Sequence, residues 1–174
     1  MAKSSFEVFA EKLEHMQENI DKALLNKVMF HSEVLAGRAR KNCIPDTGDL
    51  RNSIEGFVTQ NENEIIGGAV TVNEYAAYVE FGTGPTGTAE GGHPLDSELG
   101  ITRKTGPWLG KIPITPDTEK YLGNITEKER EQGYAYRYIH GQQANPFMYR
   151  AMKETEQDII DDFGSALKEV IKSG

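Results

Sequence analysis

A single cysteine, Cys43, stands among 174 residues, so the chain cannot close an internal disulfide, and a reducing compartment is expected. Long apolar runs are missing too. Nothing approaches the ~18 residues a membrane-spanning helix needs. The opening Met1-Ala2-Lys3-Ser4-Ser5 leads into an amphipathic pattern rather than an apolar h-region, so no signal peptide is expected. Basic charge is scarce, with 19 Lys and Arg against 27 Asp and Glu and a net charge of -8. Such a chain repels phosphate backbones, which argues against tight non-specific nucleic-acid binding. The deficit is local: Asn42 to Phe81 holds seven acidic residues against Arg51 alone, whereas Met1 to Lys41 holds seven basic and six acidic ones.

Catalytic and metal signatures are equally thin. His15, His31 and His140 are scattered. His93, Asp96 and Glu98 lie close together, but at no zinc or calcium spacing, and a solvated loop is the expectation there. Cys43 has no histidine nearby in sequence, and no nucleophile triad assembles with any specificity. Gly82-Thr83-Gly84-Pro85-Thr86-Gly87 matches G-x-G-x-x-G. A dinucleotide site needs converging amides at the mouth of a helix, and Pro85 removes one, so a backbone turn is expected. No enzymatic activity, cofactor or metal is expected.

What is present is periodicity. Ser4 with Glu7 spells a capping box. Phe6, Phe9, Leu13, Met16, Ile20, Leu24, Val28 and Leu35 then form one helical stripe. The pattern lasts about 37 residues, or ~55 Å, longer than the ~40 Å diameter of a compact chain of this length. Such a helix either bends, with Gly37 as the candidate point, or has part of its stripe covered by another chain. Pro45 to Asp49 reads as a turn, followed by a helical turn at Leu50 to Ile54 capped by Asp46 or Thr47. Glu55–Gln60 and Ile65–Val72 read as a hairpin around Asn61–Glu64, with a bulge at Gly67-Gly68. Asn73 to Phe81 reads as a short helix. Gly82 to Pro116 carries eight glycines and five prolines and reads as a long loop, of the kind that orders against a partner. Thr126 with Glu129 opens a charged helix ending at Gly133. Tyr134, Tyr136 and Tyr138 alternate as one aromatic face of a strand. Asn145-Pro146 starts a C-terminal helix whose stripe runs from Met148 to Val170 and is weakened at Gly164.

The expected fold is therefore α+β in a single domain, 1–174. It has a long N-terminal helix, a small antiparallel sheet with a β-hairpin, a long Gly/Pro-rich loop (86–132 as an insertion) and a C-terminal helix packed on the sheet. The tyrosine face has two readings. One is packing at a helix or subunit interface. The other is a nucleic-acid-binding module that stacks bases on Tyr134, Tyr136 and Tyr138.

Three stretches, in this order, carry a resemblance. They are Asp46-Thr47-Gly48-Asp49-Leu50-Arg51-Asn52-Ser53-Ile54, Tyr75-Ala76-Ala77-Tyr78-Val79-Glu80-Phe81-Gly82-Thr83-Gly84, and Gly141-Gln142-Gln143-Ala144-Asn145-Pro146-Phe147-Met148. With the long first helix, the chain resembles the neck and tail-completion family of minor tail components in long-tailed double-stranded DNA phages. The resemblance implies a homo-oligomeric ring at the head–tail junction of the virion, assembled in the host cytoplasm. Its implied neighbours are the head–tail connector and the tail terminator or tube. Genomic DNA would pass through the lumen without tight binding, and no membrane would be involved. No catalytic residue comes with the family. Gly48, Gly82 and Gly84 would supply unusual backbone angles, and the acidic hairpin would face the lumen.

Overall fold

The capping box forms as predicted: the Ser4 hydroxyl accepts the Glu7 amide, and the Glu7 carboxylate accepts the Ser4 amide. The structure, a computed structural model, describes residues 4–44 and 48–173. Pro45, Asp46 and Thr47 of the expected turn lie outside the described residues. In chain order the elements are α1 (Ser5–Asn42), α2 (Asp49–Asn52), β1 (Ile54–Gln60), β2 (Ile65–Thr71), α3 (Ala76–Phe81), α4 (Gly84–Thr88), α5 (Asp96–Leu99), β3 (Trp108–Pro113), α6 (Pro116–Leu122), α7 (Glu127–Gln132), β4 (Tyr134–Ile139) and α8 (Phe147–Ser173). The class is α+β, as expected. The chain divides into two compact units: Met1–Ala76 with Phe147–Gly174, and Ala77–Pro146.

In the first unit α1 continues through Gly37 as one helix of 38 residues, about 57 Å long. β1 and β2 pair antiparallel from Ile54↔Thr71 to Gln60↔Ile65. Asn61 closes the turn, its Oδ1 accepting the amides of Asn63 and Glu64. The expected bulge is absent, because Gly67 and Gly68 pair in register with Val58 and Phe57. These glycines serve close approach instead. A Cβ on Gly67 would collide with Val28 and Ser32 of α1, and one on Gly56 would lie 3.0 Å from the Ser32 carbonyl carbon. Ile54, Gly56, Val58, Gly67 and Ala69 therefore face α1.

The C-terminal helix sits differently from the expectation. α8 runs antiparallel along α1, and α1, rather than α8, is the main cover of the hairpin. The helix pair is laced by Arg150 to the Asn42 carbonyl, Asn42 to Glu154, Arg38 to Asp158, and His31 and Lys27 to Asp162. Lys27, with His31, holds the Asp162 carboxyl below its usual range. Ala36 and Ala39 on α1 and Ala151 and Thr155 on α8 are fully buried. Small residues of this kind let two helices approach closely.

In the second unit, the segment expected as a long loop is cut into short elements. Thr115 caps α6 reciprocally with Thr118, with Pro116 in the first turn. Thr126 and Glu129 form the predicted box on α7, and Gly133 ends it in the left-handed region. Arg137, helped by the Thr126 amide, pulls the Glu129 carboxyl down to about 2. β4 carries the predicted tyrosine alternation, and its partner is β3, from Trp108↔Ile139 to Pro113↔Tyr134. The same Gly and Pro punctuation that reads as loop in the sequence bounds these pieces.

Candidate functional site

The family-like stretches become a backbone frame. In the second unit, Glu80–Gly84 and Gly141–Asn145 are zipped together although some 60 residues separate them. Thr83 N–H donates to the Gln142 carbonyl (2.9 Å), Gln142 N–H returns to Thr83 O (3.1 Å), and Asn145 N–H reaches Val79 O (2.8 Å). The Gln142 side-chain amide donates to Tyr78 O at 2.7 Å. Two glycines make this approach possible. Gly82, at φ +74°, would place a Cβ 2.6 Å from Ala144 N and 2.8 Å from Gln142 O. Gly141, at φ +88°, would drive a Cβ into the Thr83 carbonyl. Gly84 (φ +60°) gives its open face to the Trp108 ring, 2.8 Å from where a Cβ would sit.

Beneath the turn lies a polar cluster that sequence reading treated as solvated loop. His93 is only 3% exposed and Glu80 7%. His93 Nε2 meets Glu80 Oε1 at 3.1 Å, while its Nδ1 accepts the Leu95 amide at 3.0 Å. An acceptor Nδ1 puts the ring proton on Nε2, so the imidazole donates to the carboxylate. The Phe81 ring lies against His93, centroids 4.6 Å apart. Asp96 accepts the His93 amide and grips Arg103 with both oxygens. Arg103 donates onward to the carbonyls of Phe81 and Gly82. Its guanidinium holds the Asp96 carboxyl below its usual range, with the His93 amide adding to the effect. Glu98, on α5, is exposed. The sequence offered one signal for the cluster, the closeness of His93 to Asp96; Glu80 stood in a family-like stretch, but its pairing with His93 and the reach of Arg103 were visible only in three dimensions.

These groups are arranged for holding rather than for chemistry. Both His93 nitrogens and both Asp96 oxygens are engaged within the fold. Among the described residues no three His, Cys, Asp or Glu side chains gather as a metal site. The G-x-G-x-x-G stretch does open a short helix, α4, but most of its amides are taken: Gly82 by Tyr78, Thr83 by Gln142, Thr86 by His140 and Gly87 by Thr83. Pro85 has no amide, so no set of amides is left to converge on a phosphate.

In the first unit, Gly48 (φ +90°) is the N-cap of α2, where Asp46 or Thr47 was expected. Leu50 and Ile54 are buried, and Arg40 donates to the Ile54 carbonyl at 2.8 Å. Arg51 donates to the Arg40 carbonyl, and the Ser53 hydroxyl meets Thr71 Oγ1 at 2.6 Å. This stretch thus ties the end of α1 to the hairpin. Phe147 is fully buried at the head of α8, with Met148 half-buried beside it; Pro146 and Ala144 are half-buried just before that helix begins.

Residues 7–82 match the HK97-gp10-like family model, described as "Bacteriophage HK97-gp10, putative tail-component". The matched stretch takes in α1, α2, the hairpin and α3, and ends at the turn glycine Gly82. The chain is thus similar over this stretch to phage tail components, which supports a structural role in the tail, a place in the virion and contact with other virion proteins. No curated protein and no solved structure matches the chain. No helix among the described residues is long and apolar enough to cross a membrane.

Proposed function

We propose that the protein is a structural subunit of the phage neck, completing the tail at the head–tail joint as a homo-oligomeric ring around the DNA channel. The observation that carries this reading is apolar surface left bare on elements of the family-matched region. Phe6 (79% exposed), Phe9 and Leu13 stand open on α1, and Phe57, Ile66, Val70 and Val72 on the outer face of the hairpin. Bare apolar patches of this kind mark protein–protein contacts. The Leu50–Ile54 tie would hold the hairpin surface against α1 for neighbours: copies of the chain, the connector and the tail terminator or tube. Glu55, Glu62 and Glu64 make the hairpin acidic. With its turn end, Glu62 and Glu64, toward the lumen, it would let DNA slide without adhering. The long first helix exceeds what its own unit covers, which suits assembly in the host cytoplasm onto neighbouring proteins.

Negative-stain imaging and sedimentation of the purified protein test the reading. Closed rings are expected, and a monomer at every concentration overturns it. The nucleic-acid alternative rests on the open Tyr136 and Tyr138 rings, beside Lys111 stacked 3.8 Å from the Tyr134 ring centroid. Lys111 is the one cation on that strand face. Any single-strand binding there should show a log–log salt slope near -0.7, that of about one phosphate contact.

A further inference from the structure

Both partners of α1 stop short of its N-terminal end. The α1–α8 contacts step from Asn42 with Arg150 and Glu154 to His31 with Asp162. Carried to Ser173, that ladder ends beside about Ile20. The hairpin turn, Asn61–Glu64, shares a small cavity with Asp21, Leu24 and Val28, so the hairpin ends there as well. Residues 5–19 are left as an unaccompanied rod about 22 Å long. Its side chains are exposed except Ala10 and Met16, which are half-buried. The bare stripe of Phe6, Phe9 and Leu13 is continuous with the stripe through Leu24 and Val28 that packs within the unit. The rod is also acidic: Glu7, Glu11, Glu14 and Glu18 against Lys12.

The β3–β4 ribbon presents a surface of matching size and opposite charge. The register puts Leu109 opposite Tyr138, Lys111 opposite Tyr136 and Pro113 opposite Tyr134, all on one face. Leu109, Tyr136 and Tyr138 are 57%, 52% and 72% exposed. Six residues of strand span about 20 Å, close to the length of the rod. The only charge on this face is Lys111, and tyrosine hydroxyls are donors for carboxylates. The outer hairpin face is the poorer acceptor, since Glu55 lies on it and Glu62 and Glu64 at its end repel an acidic helix.

We propose that the α1 rod, residues 5–19, of one copy docks on the Leu109–Tyr136–Tyr138 face of the next copy. The two surfaces differ, so the contact is head-to-tail, and repeated with a rotation that closes it builds the ring. The inference rests on the ring reading and names the contact that builds it.

Phe9→Asp and Tyr138→Asp test it: both side chains are exposed, so their replacement should leave the fold intact, which circular dichroism checks. Each variant alone should need at least about tenfold more protein to assemble than wild type, as loss of an interface anchor predicts. Mixed one to one, they should form a dimer and nothing larger, since the mixture contains one intact donor–acceptor pair. Rings from either variant alone overturn the inference while leaving the ring reading standing. So does a mixture that stays monomeric where wild type assembles, or a Tyr138→Asp protein that loses single-stranded DNA binding yet assembles normally. A wild-type protein that never assembles removes both.

Discussion

Replacing Gly82 by alanine perturbs the frame at its tightest point. Two costs add. A residue other than glycine at φ +74° is strained by roughly 1–2 kcal/mol. The new Cβ also lands 2.6 Å from Ala144 N and 2.8 Å from Gln142 O, backbone atoms that no side-chain rotation can clear. Overpacking of this kind costs about 1–3 kcal/mol. Gly133 is the matched control: it has the same φ, +74°, and nothing within 4 Å of an added Cβ. Gly133→Ala should therefore carry the conformational cost alone. The difference between the two variants isolates the close approach. At roughly 2–4 °C per kcal/mol for a chain of this size, it amounts to about 2–12 °C in Tm. Thermal unfolding followed by circular dichroism measures it, and hydrogen exchange at the Thr83 and Gln142 amides reports whether the zipper itself has opened. Equal losses in the two variants, with Thr83 and Gln142 still protected, would refute the reasoning.

Gly164→Ala, in the interior of α8 with open space around the added methyl, should stabilise by about 0.5–1 kcal/mol, read as a higher urea midpoint. The Glu129 carboxyl is depressed from its ordinary 4.5 to about 2, so its contribution is present above pH 4.5 and fades as pH falls toward 2. Glu129→Gln should flatten the acid limb of the Tm–pH curve across that window, and an unchanged limb would show that Arg137 does not stabilise the charged form.

The contrast between what was legible in the sequence and what was not follows the range of each interaction. Ser4 with Glu7, Thr126 with Glu129, Asn61 in its turn and the Tyr134–Tyr136–Tyr138 alternation all declare themselves, because a cap, an Asx turn or a strand face is decided by residues within a few positions of one another. The family-like stretches were visible as words, but not what they do. That Thr83 pairs with Gln142, that Glu80 receives His93 beneath Phe81, and that β4 takes β3 from a glycine- and proline-rich segment depends on which distant surfaces fit. The same holds for Gly67. A glycine pair in a strand suggests a bulge until a helix is seen lying where its Cβ would be. α8 carries an apolar stripe that is readable at once, yet the stripe cannot name its partner, and small side chains on α1 rather than a sheet receive it. Local propensity settles which elements form, because its energies are paid out between near neighbours; only tertiary packing settles which elements meet, because steric fit and buried hydrogen bonds between remote segments have no signature in either segment alone.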